Sequence, residues 1–143
     1  MRAAVEASEE ECCGFLFGVD GDGGRRVCDM MPAPNVSSHD RRRTFEISPS
    51  SYLEAESLAE GKGLELIGVY HSHPGTPAVP SDYDLRAAQP FFSYVIISVY
   101  HGKATDMRSW RLNADRNFKE EFFSTIELAY TFHGHSYHPN SIA

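Results

Sequence analysis

His71-Ser72-His73-Pro74, six further residues, and then Ser81-Asp82-Tyr83-Asp84 make up the stretch of this chain best equipped to hold a metal ion. Along an extended strand the side chains alternate between faces, so His71 and His73 point the same way. Pro74 has no N–H to donate to a ladder and ends the strand. Residues 75–80 contain one glycine and two prolines and read as a loop. Ser81 then has the character of a helix N-cap, with Asp84 three residues on in the first turn. A strand end and a helix start joined by so short a loop bring two imidazoles and a carboxylate together. Three such ligands with a fourth position left open describe a catalytic zinc site. A bare His-x-His pair is more often structural or solvent-facing. Pro74, the capping serine and an acid at helical spacing make the combination far more specific.

The pattern resembles the signature of the JAMM, or MPN-type, zinc metallopeptidases. Such proteins carry a further glutamate three residues before a glycine that opens a hydrophobic strand. Here Glu11-Cys12-Cys13-Gly14-Phe15-Leu16-Phe17-Gly18 fits that element. The resemblance runs from about Glu11 to Leu112. It implies one zinc per chain on His71, His73 and Asp84, and peptidase or isopeptidase cleavage after the C-terminal Gly-Gly of a ubiquitin-like or sulfur-carrier protein. It also implies an α+β fold of MPN/JAMM (cytidine-deaminase-like) architecture: a curved, mostly antiparallel sheet with a long helix on each side and zinc at one edge. The compact length, with no obvious insertion for polyubiquitin, is most similar to the bacterial members associated with sulfur-carrier proteins.

Roles follow from the chemistry. Zinc held by two neutral imidazoles and one carboxylate keeps positive charge and brings the pKa of a bound water near ~7. A carboxylate that is not a ligand must take that water's proton and return it to the leaving amine, and Glu11 has the motif and the position for this. Glu9 and Glu10 read as a solvated face. Ser81, beside the ligands, is either an oxyanion donor or a helix cap only. The rival function is a catalytically inactive MPN-type scaffold that binds protein partners, although five matched positions favour the enzyme. A zinc deaminase would need a Cys-x-x-Cys, which the chain lacks.

Composition narrows the field further. The chain has 143 residues, one domain's worth, expected as residues 1–132 with a loose tail at 133–143. A net charge of −7 argues against a nucleic-acid surface. No apolar run is as long as a membrane span, and the acidic start does not read as a signal peptide. Three cysteines without a framework spacing read as small hydrophobes in a reducing cytoplasm. The sequence leaves the oligomeric state open. Arg41-Arg42-Arg43 reads as a solvated run that could steer an acidic partner. His133, His135 and His138 are assigned no site.

The elements that must position these groups follow in order. Residues 1–10 are helical by propensity. Residues 13–19 form an apolar strand, turned by the glycine-rich 20–24 into a hairpin partner at 25–30, which Pro32 and Pro34 interrupt. Residues 35–43 are an exposed loop and 44–47 a short strand. Ser48 caps a helix with Pro49 in its first turn, whose apolar stripe is Leu53, Ala55, Leu58 and Ala59. Residues 64–70 form the strand that delivers the histidines, where Gly68 marks close packing or a bulge. A short helix at 81–89 carries Asp84. Residues 92–100 are a buried strand, 105–112 its partner, and 118–132 an amphipathic helix.

Overall fold

The computed structural model describes residues 2–122. Its elements are α1 (Arg2–Ala7), β1 (Cys13–Gly21), β2 (Gly24–Ala33), α2 (Pro49–Gly61), β3 (Glu65–Pro74), α3 (Asp82–Ala87), β4 (Ser93–Tyr100), β5 (Lys103–Leu112) and β6 (Phe118–Glu121). The six strands form one sheet in the order β2-β1-β3-β4-β5-β6. Only β3 and β4 pair in parallel, joined by the crossover that contains α3. The fold is α+β on a mostly antiparallel sheet, as the sequence predicts.

The histidine strand is a central one. β3 pairs with β1 on one side, Cys13 opposite His71, and with β4 on the other. The candidate site therefore sits at the C-terminal end of a central strand, where the sheet ends. Gly68 shows both features anticipated for it. A Cβ there would lie 2.3 Å from the Ser93 carbonyl oxygen, and the β1–β3 register slips beside it, between Leu16 and Phe17.

Alternation along the strands feeds two apolar layers. Phe15, Phe17, Val69 and Tyr94 pack on one face with Ala55 and Ala59 of α2. Leu16, Ile67, Tyr70, Val95 and Ile97 pack on the other with Val5 of α1. Burying each large side chain contributes roughly 1.5–3 kcal/mol. The helix α2 meets the sheet through its alanines, whereas Leu53 is 68% exposed and Leu58 39%. The expected leucine stripe gives way to small residues that let the helix approach closely. Among the described residues only α2 is a long helix; α1 spans six residues. No helix among them is long and apolar enough to cross a membrane.

Three strand expectations are corrected. Residues 44–47 form no strand, because the Asn35 side chain takes their ladder groups, accepting from Glu46 N–H and donating to Thr44 C=O. β2 runs through Pro32 to Ala33, which an edge strand tolerates because its outer side needs no donor. Phe118–Glu121 pairs with β5 as β6 instead of opening a helix. The free edge of β5 and the Tyr94 ring, 5.8 Å from that of Phe118, outweigh the helical spacing. The remainder of that expected helix, 123–132, and the tail with its three histidines lie outside the described residues.

Candidate metal centre

Strand alternation does what the spacing predicts. His71 and His73 share a face, and their Nε2 atoms stand 3.1 Å apart. Asp84 Oδ2 lies 3.2 Å from each of them. Ligand atoms in a tetrahedral zinc shell, each at about 2.0–2.1 Å from the ion, stand about 3.3–3.4 Å apart. The three donors are thus already near the spacing zinc requires, and two imidazoles with one carboxylate suit its preference. Glu11 joins them: one ligand atom from each of Glu11, His71, His73 and Asp84 lies within 4.8 Å of all the others, and all four residues are buried.

Each group is held from behind. His73 Nδ1–H donates to the Pro77 carbonyl at 2.7 Å, an outward hydrogen bond that leaves Nε2 as the atom turned toward the cluster. The Pro-bounded loop is what turns that carbonyl inward. The His71 ring stacks on Phe45, with centroids 4.4 Å apart. Asp84 N–H donates to the Ser81 hydroxyl at 3.1 Å, and Ser81 N–H donates to Asp84 Oδ2 at 2.9 Å. This capping box anchors α3 and orients the carboxylate. The Ser81 hydroxyl accepts in it, so its own O–H remains available to donate.

Glu11 precedes β1 and is fastened from both sides. Its N–H donates to the Arg41 carbonyl at 2.7 Å, and its carbonyl accepts from Asn35 Nδ2 at 3.0 Å. Next to it, Cys12 N–H donates to the Ser72 hydroxyl at 2.8 Å and Ser72 N–H to the Cys12 carbonyl at 2.9 Å. Ser72, facing away from the site, thereby ties the glutamate segment to the histidine strand. Gly14 explains the spacing of the glutamate motif: a Cβ there would stand 2.4 Å from the Met31 carbonyl oxygen and 2.5 Å from the Tyr70 ring. Only a residue without a side chain lets β1 lie so close to β2 and the Tyr70 ring just after Glu11.

The electrostatics separate the two acids. Burial pushes the Glu11 carboxyl up to about 8, with the His73 charge opposing and the Asp84 charge adding. Its Oε1 is buried and has no hydrogen-bond partner. Burial would raise Asp84 too, but the His71 charge and hydrogen bonds from His71, His73 and Ser81 hold it well below the usual range. One acid is fixed as an anion among donors; the other is poised near neutrality with an unsatisfied oxygen. Cys13, next to this pair, is inert: burial pushes its thiol up to about 12.

All five sequence-selected residues, Glu11, His71, His73, Ser81 and Asp84, come together. A groove of about 950 Å³ opens on Glu11, His73 and Ser81, and Arg42 and Arg43 line it as well. In sequence those arginines read as a solvated run that could steer an acidic partner, with no link to the site. Sequence reasoning also missed Asn35, the Arg41 carbonyl and Phe45. Backbone carbonyls and stacking partners leave no mark in spacing; only the arginine run was visible as a pattern.

Residues 1–113 match the family model for prokaryotic homologs of the JAB domain. Over 116 residues the chain is 29% identical to a desampylase of Pyrococcus furiosus, covering 81% of this chain and 76% of that protein. It is also 29% identical over 120 residues to a CysO-cysteine peptidase of Mycobacterium tuberculosis, covering 82% and 78%. A solution structure of a Salinibacter ruber protein superposes with a TM-score of 0.65 at 40% identity, covering 85% of this chain and 82% of that one. With residues 1–113 matched by that family model, this chain belongs to the prokaryotic JAB-domain homologs, a compact JAMM/MPN-type family member.

Proposed function

We propose that this protein is a zinc-dependent peptidase or isopeptidase that cleaves after the C-terminal Gly-Gly of a ubiquitin-like or sulfur-carrier protein, in a reducing cytoplasm. The observation that carries this reading is the convergence of His71, His73 and Asp84 beside a buried Glu11 whose Oε1 has no hydrogen-bond partner. Peptidase names among the relatives support the reaction class.

His71 Nε2, His73 Nε2 and Asp84 Oδ2 would hold the ion. Zinc bound there would supply a Lewis acid for the scissile carbonyl and bring the pKa of a water near ~7. Glu11 accepts the proton of the attacking water and passes it to the leaving amine. The Ser81 O–H donates to the oxyanion that forms on the carbonyl, and the capping box fixes that hydroxyl in place. A diglycine tail fits the groove because it lets its backbone approach Glu11 and Ser81 without side-chain clash. The full set of ligands with its base gives a scaffold-only role no support.

The test is to incubate zinc-loaded protein with a carrier extended past its Gly-Gly and read the products by mass spectrometry. A cut after the second glycine is expected. An extension that stays on, or equally fast cutting when a bulky residue replaces that glycine, would overturn the reading.

A further inference from the structure

The loop of residues 35–44 is built more firmly than an exposed connection requires. Asn35 Nδ2 bonds the Glu11 carbonyl and the Thr44 carbonyl at 3.0 Å each, which ties both ends of the loop to the base. Ser37 is 1% exposed and its hydroxyl lies 2.8 Å from that of Thr44, which donates to the Asp40 carbonyl at 2.9 Å. This frame presents three successive guanidinium groups, and they have different fates. Arg41 Nε donates to the Ser37 carbonyl at 2.8 Å, and Arg41 is not among the residues that line the groove beside the base. Arg42 pairs with Asp40 at 3.2 Å, both side chains exposed, an attachment of little strength. Arg43 makes no side-chain hydrogen bond or ion pair among the described residues, although its charge is felt by Asp40. Arg42 and Arg43 line the groove that also holds Glu11, His73 and Ser81. In a chain of net charge −7, two cations on that groove run against the general field.

We propose that Arg43, seconded by Arg42, selects a leaving group bearing a free α-carboxylate: an amino acid or short peptide joined through its α-amine to the carrier's terminal glycine. This rests on the peptidase reading above. The departing amine takes its proton from Glu11, so it leaves past Glu11, and the loop bonded to Glu11 is the one that carries the arginines. An α-carboxylate is attached to the carbon that bears the departing nitrogen, so it enters the groove that Arg42 and Arg43 line together with Glu11. A planar guanidinium matches a carboxylate with two parallel hydrogen bonds. A lysine ε-amine departing from a folded protein brings no such anion, so the same rim discriminates against isopeptide substrates.

The probes are a ubiquitin-fold sulfur-carrier protein whose Gly-Gly is extended by one alanine, as free acid and as C-terminal amide. Zinc-loaded wild type should prefer the acid in kcat/KM by about tenfold to a hundredfold, the range of one charge-assisted hydrogen bond, mostly through KM. Arg43→Ala should bring the acid-to-amide ratio toward one, Arg43→Lys should keep part of it, and Arg43→Glu should invert it. A damaged fold would lower both rates and leave the ratio alone. Binding of both probes to the Glu11→Gln protein supplies a readout that needs no turnover. Cleavage of acid and amide at equal rates, or a preference that survives the Arg42→Ala/Arg43→Ala double change, overturns the carboxylate rim while leaving the peptidase reading intact. Absence of cleavage with tighter binding of the acid, lost in Arg43→Ala, upholds the rim and overturns the peptidase reading. Equal binding without cleavage overturns both.

Discussion

Ser81 and Asp84 hold each other through two reciprocal hydrogen bonds, backbone to side chain in both directions, and one of them ends on the oxygen that faces both histidines. A single serine thus sets the start of α3 and the aim of a ligand. Ser81→Ala should cost about 1 kcal/mol as a lost cap, measured by denaturant unfolding. Turnover should fall further, by about 10²–10³, if the hydroxyl also serves the oxyanion. Ser81→Thr keeps the cap and should recover much of both. A stability loss with unchanged turnover would reduce Ser81 to a cap.

The metal prediction concerns stoichiometry. Protein purified without chelator should contain one zinc per chain by elemental analysis. His71→Ala, His73→Ala and Asp84→Ala should each lower occupancy sharply, since each removes one of three protein ligands. The sheet's two apolar layers lie outside this cluster, so circular dichroism should show the fold retained. Full occupancy in all three variants would refute the site.

Glu11→Gln should keep zinc and fold while turnover falls by about 10²–10⁴, the usual contribution of general acid–base catalysis. The amide preserves shape and cannot accept the water's proton. Near-normal turnover in a zinc-loaded variant would remove Glu11 from the chemistry.

Cys13 offers a pH test outside the ligand set. Burial holds its thiol at about 12 against an ordinary 9.0. The folded value lies above the unfolded one, so this group's stabilising contribution is fully present below about 9 and is lost as pH rises through about 12. Native protein at about pH 8.5 should therefore alkylate at the half-buried Cys12 and Cys28 and spare Cys13 until it is unfolded, read by mass spectrometry. Rapid labelling of Cys13 in folded protein would contradict the packing of β1.

Gly14→Ala should destabilise strongly, because the added methyl meets the Met31 carbonyl oxygen at 2.4 Å, backbone that cannot swing aside. Thermal unfolding would show it, with loss of turnover even in the fraction that remains folded. A neutral effect would mean that β1 and β2 stand further apart than described.

The candidate site was legible because its ligands are local in sequence. His71, His73 and Asp84 sit on one strand end and one helix start, where period-two alternation and cap chemistry fix direction. The strands were legible for a similar reason, as with the apolar run that became β4. What escaped the sequence depended on partners far along the chain. Phe118 became strand because β5 left an edge open, and residues 44–47 stayed irregular because Asn35 satisfied their backbone. Leu53 and Leu58 read as core by type, yet the alanines were what fitted against the sheet. The arginine loop looked like ordinary surface because its hydrogen bonds to Glu11 join residues 24 and more positions apart.

The pairing of Cys12 with Ser72 also divides the site into a local part and a distant one. Those two residues are 60 positions apart, while the three ligands fall within a short stretch of chain. Joining such distant positions carries the closure entropy of the chain between them, which the β1–β3 pairing must offset. Loosening that pairing would withdraw Glu11 while His71, His73 and Asp84 stay neighbours, so metal holding and proton transfer rest on different parts of the fold.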